Sequence, residues 1–221
     1  MDFIRARSDE QKDVRLNQIK EVAKKQFYSL SYDKITIKSI SLELDFARSN
    51  LYKYFNTKEE IYATILIDEV AEWIQELKDA SPDNAISPSE IDTFCLYWSD
   101  ITCKHLGMIS LYARLTPLYA QNIPEESLLK IRQNFLIHYH DLNSLLQSLF
   151  PKLTQRQVQH FCQYQFSFIA GFSPAIKENA AKNEAKKEMA NQCNNKKLSL
   201  SDFQISFQEF LKTLLVGIFN T

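Results

Sequence analysis

The densest run of chemically capable side chains lies in residues 36–55, which read Thr-Ile-Lys-Ser-Ile-Ser-Leu-Glu-Leu-Asp-Phe-Ala-Arg-Ser-Asn-Leu-Tyr-Lys-Tyr-Phe. Arg48, Ser49, Asn50, Tyr52, Lys53 and Tyr54 supply more hydrogen-bonding groups than a helix needs if it only completes a core. Arginine pairs with guanine edges and asparagine with adenine, while serine, tyrosine and lysine suit phosphates or bases. Leu51 and Phe55, four residues apart, would clamp such a helix from beneath. The chemistry on offer is recognition of a polar, anionic surface.

Catalytic and metal chemistry find no such concentration. There is no glycine-rich phosphate loop, no G-x-S-x-G elbow and no H-E-x-x-H, so the chain reads as a non-enzyme with no cofactor. Cys103 and His105, and His160 and Cys162, are paired at i,i+2. Residues so spaced do not share a helix face, so no metal site is expected. The four cysteines, Cys95, Cys103, Cys162 and Cys193, form no C-x-x-C pair and read as reduced, mostly buried thiols.

The elements that must position residues 36–55 follow from caps and periodicity. A first helix is expected from about Lys12 to Ser29, with Ile19, Val22, Ala23 and Phe27 on one face. A second, about two turns long, begins at the N-cap Thr36 with Ile37, Ile40, Ser41 and Leu44 inward. A third runs from Ala47 to about Tyr54. Two short helices joined by a tight turn have helix-turn-helix geometry. Thr57-x-x-Glu60 forms a capping box opening a long helix to about Leu77.

Ser81-Pro82-Asp83-Asn84 breaks the chain and Ser87-Pro88-Ser89-Glu90 restarts it. Further helices are expected at about 88–106, at 108–121 with a kink at Pro117, and at 124–149 with Leu129, Phe135, Leu136, Tyr139, Leu142 and Leu146 inward. Thr154-x-x-Gln157 caps another to about Phe172, and a last apolar helix covers about 202–219. Residues 175–200, rich in Lys, Asn, Ala and Glu, read as a solvated helix or mobile loop.

Composition agrees with this reading. The 221 residues are 45% hydrophobic and include only 3 Gly and 6 Pro, which argues for helices and against a turn-dense β fold. No stretch reaches the length a membrane span requires, so a soluble, cytoplasmic protein with no membrane partner is expected. The net charge of −1 conceals an asymmetry: residues 1–58 hold 12 basic and 8 acidic side chains, and 59–221 hold 14 and 19. A basic head on an acidic body suits contact with a polyanion at one end.

Residues 12–66 resemble the TetR/AcrR family of bacterial transcriptional regulators. The resemblance rests on the apolar first helix, on Thr36-Ile37-Lys38-Ser39-Ile40-Ser41, and on Leu51-Tyr52-Lys53-Tyr54-Phe55-Asn56-Thr57-Lys58-Glu59-Glu60-Ile61. Departures are Ser31 and Asp45 where the family often has glycine, and Tyr54 where histidine is common. The resemblance implies an all-α fold: an N-terminal three-helix, homeodomain-like helix-turn-helix domain at 1–56, a connecting helix at 57–79, and a C-terminal helical bundle at 80–221 for ligand binding and dimerisation. It also implies roles in binding double-stranded DNA. Thr36 would meet phosphate, and Arg48, Ser49 and Asn50 would reach base edges. Tyr52, Lys53 and Tyr54 would contact phosphate or neighbouring bases, and Lys58 would hold a phosphate with the help of a helix dipole.

In the body, Phe161, Phe168, Ile169, Phe172, Phe210, Leu211, Leu214, Leu215 and Ile218 make two helices apolar on more than one side. In the family such a pair forms a homodimer interface, and two-fold pairing matches a palindromic operator. The aromatic set Tyr97, Trp98, Tyr112, Tyr119, Tyr139, Tyr164 and Phe166, with His105, His138 and Arg114 near in sequence, is what lines a small-molecule pocket, although each one singly reads as core. The expected function is a homodimeric repressor released from its operator by an unidentified small molecule, the ligand moving the long helix and changing the spacing of the two heads. The alternative is a helical small-molecule or protein-binding module that has lost DNA binding.

Overall fold

A computed structural model describes residues 2–44, 47–116, 122–181 and 199–219, and among these every regular element is helical. In chain order the α-helices are α1 (Asp2–Ser29), α2 (Ile37–Glu43), α3 (Arg48–Leu51), α4 (Lys58–Ala80), α5 (Ile91–Lys104), α6 (Leu106–Leu115), α7 (Glu125–Leu149), α8 (Gln155–Ala181) and α9 (Leu200–Phe219). Single 3-10 turns occupy Tyr32–Lys34 and Pro88–Glu90. The chain divides into two compact units, one formed by Met1–Ile67 with Leu115–Gln133 and the other by Asp68–Arg114 with Asn134–Thr221.

In the first unit the three-four spacing of Ile19, Ala23 and Phe27 on α1 gives one buried stripe. Ile37 and Ile40 of α2, Leu51 of α3, Phe55, and Ile61, Tyr62, Ile65 and Leu66 of α4 are buried in the same unit. The Tyr62 ring lies 5.5 Å from Phe27 and 5.4 Å from Tyr32, centre to centre. Its hydroxyl donates to the Ala23 carbonyl at 2.9 Å, tying α4 to α1 through a phenol whose pKa burial raises. Ser31 is extended (φ −68°, ψ 140°), so glycine is not needed where the chain leaves α1.

The second unit is built round Trp73 of α4 and Trp98 of α5, both with no exposed surface, in edge contact at 6.1 Å. Each indole N–H has a partner, as burial demands. Trp73 Nε1 donates to Thr102 Oγ1 at 3.1 Å, and Trp98 Nε1 donates to Gln165 Oε1 at 2.9 Å. Phe94, Phe150, Phe161, Phe203 and Phe207 complete the aromatic core. Caps delimit the helices: Ser87 with Glu90 before α5, Thr154 with Gln157 before α8, and Ser199 with Asp202 before α9. Ser87 lowers the Glu90 pKa by hydrogen bonds to its carboxylate.

Several sequence expectations are corrected. Helix α1 begins at Asp2, ten residues ahead of the Lys12 start, and α8 continues to Ala181. Residues 88–90 form a 3-10 turn ahead of α5, and α5 itself ends at Lys104, where His105 leaves helical conformation (φ −91°, ψ 51°). On α7 Leu142 and Leu146 are buried, but Leu129 and Leu136 are 58% and 53% exposed. The apolar residues of α7 circle the helix, so periodicity alone could not choose the inward face. Leu44 is half-buried rather than inward. Pro117, with its expected kink, Asp45 and most of the Lys/Asn-rich stretch lie outside the described residues.

Candidate nucleic-acid interface

Helix α2 is held at its N-terminus by a reciprocal box. Thr36 Oγ1 accepts from the Ser39 amide and Ser39 Oγ accepts from the Thr36 amide, both at 3.0 Å. Two of the amides a helix N-terminus leaves without intrahelical partners are thereby satisfied. Thr36 is exposed and its hydroxyl proton is not consumed by these bonds. The box is fastened to α1 by Gln26, which is 5% exposed. Ser39 Oγ donates to Gln26 Oε1 at 2.9 Å, while Gln26 Nε2 donates to the Ser39 carbonyl at 3.1 Å and to Glu43 Oε2 at 2.8 Å. Lys25 pairs with the other Glu43 oxygen. The Lys25 hydrogen bond, then that of Gln26, hold the Glu43 carboxyl below its ordinary pKa of 4.5.

Sequence reading missed Gln26, Lys25 and Glu43. A polar Gln26 next to Phe27, inside the apolar phase of α1, was the signal available for it. A buried amide in that position needs partners, and α2 supplies them.

Helix α3 is a single turn, shorter than the expected Ala47–Tyr54, and its N-cap Ala47 has no side chain able to cap it. Turn bonds extend the spiral: Tyr52 N to Arg48 O at 3.3 Å, Tyr54 N to Leu51 O at 2.9 Å and Phe55 N to Leu51 O at 3.1 Å. The side chains therefore progress much as a helix would carry them. Leu51 and Phe55 are buried, whereas Arg48, Ser49, Asn50, Tyr52 and Lys53 are exposed and Tyr54 is half-buried. Arg48 Nη2 donates to Tyr52 Oη at 2.7 Å, and the guanidinium carbon lies 5.3 Å from the centre of that ring.

Lys58 is also engaged with the fold. Its ammonium donates to the Tyr32 carbonyl at 2.8 Å and the Ile35 carbonyl at 3.0 Å. Two of its three N–H donors thus secure the segment between α1 and α2. Its neighbours also serve the fold: Tyr32 Oη donates to Glu59 Oε1 at 3.3 Å, and Glu60 accepts from the Asn56 amide at 2.6 Å and from Asn56 Nδ2 at 3.2 Å. Glu60 N completes the cap through Thr57 Oγ1 at 3.2 Å.

In the second unit, burial separates residues that the sequence grouped together. Trp98 and Phe166 of the expected pocket are 0% and 6% exposed and belong to the core, where their faces are taken by Trp73 and Phe94 or by Trp73 and Tyr112. Tyr97, Tyr112, His138 and Tyr139 are half-buried, Arg114 is exposed, and Tyr119 lies outside the described residues. Of the nine interface candidates, Phe161, Ile169, Leu211, Leu215 and Ile218 are covered within this chain and cannot present a face to another subunit. Both helices carry apolar groups around more than half their circumference, and the intramolecular α8–α9 packing takes one share. Phe168, Phe172, Phe210 and Leu214 remain partly exposed, and Gly171 and Gly217 have open space at the Cβ position.

Cys162 is buried while His160 sits beside Tyr164 at 5.6 Å, and His105 Nε2 lies 3.2 Å from Glu76 Oε1. Burial pushes the thiols of Cys95 and Cys162 up to about 12 and that of Cys103 to about 11.

The profile described as tetracyclin repressor-like, C-terminal domain, matches residues 68–221. No curated protein matches the sequence significantly. Among solved structures, the fatty acid degradation regulator FadR from Bacillus halodurans is 15% identical with a TM-score of 0.54, over 89% of this chain and 94% of that one. A TetR/AcrR family transcriptional regulator from Thermobifida fusca is 17% identical with a TM-score of 0.52, over 90% and 96%. A TetR transcriptional regulator from Rhodococcus sp. RHA1 is 13% identical with a TM-score of 0.55, over 94% and 99%. At these identities the likeness is one of fold.

Proposed function

The chain belongs to the TetR/AcrR family, and on that premise we propose that it is a homodimeric repressor that binds a palindromic operator and is released by a small molecule. The observation that carries this reading is the exposed row of Arg48, Ser49, Asn50, Tyr52 and Lys53 above the buried anchors Leu51 and Phe55. A polar face on so short a helix, anchored so firmly, has little structural purpose of its own.

In this reading residues 1–56 form the DNA-binding head. Arg48, Ser49 and Asn50 read base edges, while Thr36, Tyr52, Lys53 and Tyr54 meet phosphates or adjoining bases. Lys58 offers its third N–H to phosphate and otherwise braces the head. A second copy pairs through the partly exposed residues of α8 and α9, placing two heads on half-sites about one helical turn apart. The effector acts on the C-terminal domain, where half-buried Tyr112, His138 and Tyr139 combine apolar bodies with polar tips. It releases DNA only to the extent that it favours a state with the heads misplaced. The protein performs no catalysis and works in the cytoplasm.

The test is retention of DNA from around the protein's own gene against scrambled DNA at two salt concentrations. Specific retention that weakens steeply with salt supports the regulator. Equal, salt-insensitive or absent retention over genomic fragments favours the rival, a ligand- or protein-binding module without DNA function.

A further inference from the structure

We propose that Tyr52 is a specificity-determining residue that acts through Arg48, holding the guanidinium as a pre-oriented fork for one guanine. The proposal rests on the DNA-binding reading above. Arg48 and Tyr52 stand at i,i+4, linked by the Tyr52 N to Arg48 O bond at 3.3 Å, so their side chains share one edge of the spiral. Arg48 Nη2 donates to the phenol oxygen at 2.7 Å and its guanidinium carbon is 5.3 Å from the ring centre. Arg48 makes no ion pair among the described residues. Tyr52 is thus its described partner, through both hydroxyl and ring.

A free arginine samples many rotamers, and each must be given up when it pairs with a base. A phenol spends one of its five N–H donors and leaves four, enough for the two that reach guanine O6 and N7. The buried Leu51 and Phe55 fix the backbone that carries both partners. Tyr52 itself is 41% exposed, so its ring contributes little to the core. A neutral phenol also leaves the arginine charge uncompensated, where a carboxylate would oppose the phosphates.

The experiment is selection of bound sequences from a randomised DNA library by the full-length wild type and by Arg48→Ala, Tyr52→Phe, Tyr52→Ala and the Arg48→Ala/Tyr52→Ala double variant. Circular dichroism checks that all are equally helical. Arg48→Ala is expected to lose about 5- to 150-fold discrimination for guanine at one base pair of each half-site. Tyr52→Ala should relax that same position, Tyr52→Phe should relax it less because the ring remains, and the double variant should be no worse than Arg48→Ala. If Tyr52 variants weaken all sequences equally and additively with Arg48→Ala, the phenol serves phosphate alone and the proposal fails. It fails too if the wild type selects a motif that Tyr52→Ala leaves unchanged. A wild type that enriches no sequence would instead overturn the DNA-binding reading itself.

Discussion

The Lys58 ammonium lies 4.2 Å from the centre of the Tyr32 ring while donating to the Tyr32 carbonyl at 2.8 Å. One side chain at the first position of α4 thus closes the segment that enters α2. Its bond to Ile35 O fixes the residue immediately before Thr36, so the orientation of the N-cap depends on a lysine more than twenty residues away in sequence.

Lys58→Ala is therefore expected to lower stability as well as DNA affinity. Charge-assisted bonds of this kind contribute about 1.5–3 kcal/mol, and partial exposure of Lys58 puts the loss toward the lower end. Urea unfolding gives the first quantity and the salt dependence of DNA binding the second. An unchanged urea midpoint with a shallower salt slope would mean that Lys58 serves phosphate alone.

Gln26→Leu keeps the side chain's volume but strips the Ser39 hydroxyl and carbonyl and Glu43 of their common partner. A destabilisation of about 1–3 kcal/mol is expected, with DNA binding weakened further because the Thr36 box loses its fastening. Hydrogen exchange at the first amides of α2 should accelerate in the variant, and unaltered protection there would contradict the role.

The Glu43 carboxyl sits below its ordinary value of 4.5 in the folded protein. A depressed folded-state pKa contributes stability above 4.5 that disappears as pH falls through the lower folded value. The urea midpoint of the wild type should thus fall more steeply below pH 4.5 than that of Glu43→Gln. Parallel profiles for the two proteins would show that the Lys25–Glu43 pair adds nothing.

Leu214 is partly exposed on α9, and its neighbour Leu215 is fully buried. For the proposed homodimer, Leu214→Glu should shift the light-scattering mass from dimer to monomer while helicity is retained. Leu215→Ala should instead leave association intact and destabilise the fold by about 2–5 kcal/mol through a cavity. A dimeric Leu214→Glu protein would move the interface off this face of α9.

Burial raises the thiols of Cys95, Cys103 and Cys162 to about 12, 11 and 12. Thiolate is the reactive form, so at pH 8 the native Cys193→Ser variant should be nearly inert to a disulfide reagent and react fully once unfolded. Stoichiometric labelling of the native variant would reopen a redox role for one of the three.

Much of the local structure could be read directly. The caps at Thr36, Ser87 and Thr154 lie where their sequences put them because each involves atoms within four residues. Leu51 and Phe55 were legible as anchors by their four-residue spacing, and the polar face of residues 48–54 followed. The tertiary structure alone decided which side of an apolar helix turns inward, burying Phe161, Ile169 and Leu211 while leaving Phe168, Phe172 and Phe210 partly open. It likewise made Trp98 a core residue by setting Gln165 against its indole from 67 positions away, and gave Gln26 its partner Glu43 from 17. Periodicity measures the apolar character of a helix, but which face is covered depends on what distant segments bring to it, and those pairings leave no mark in local spacing.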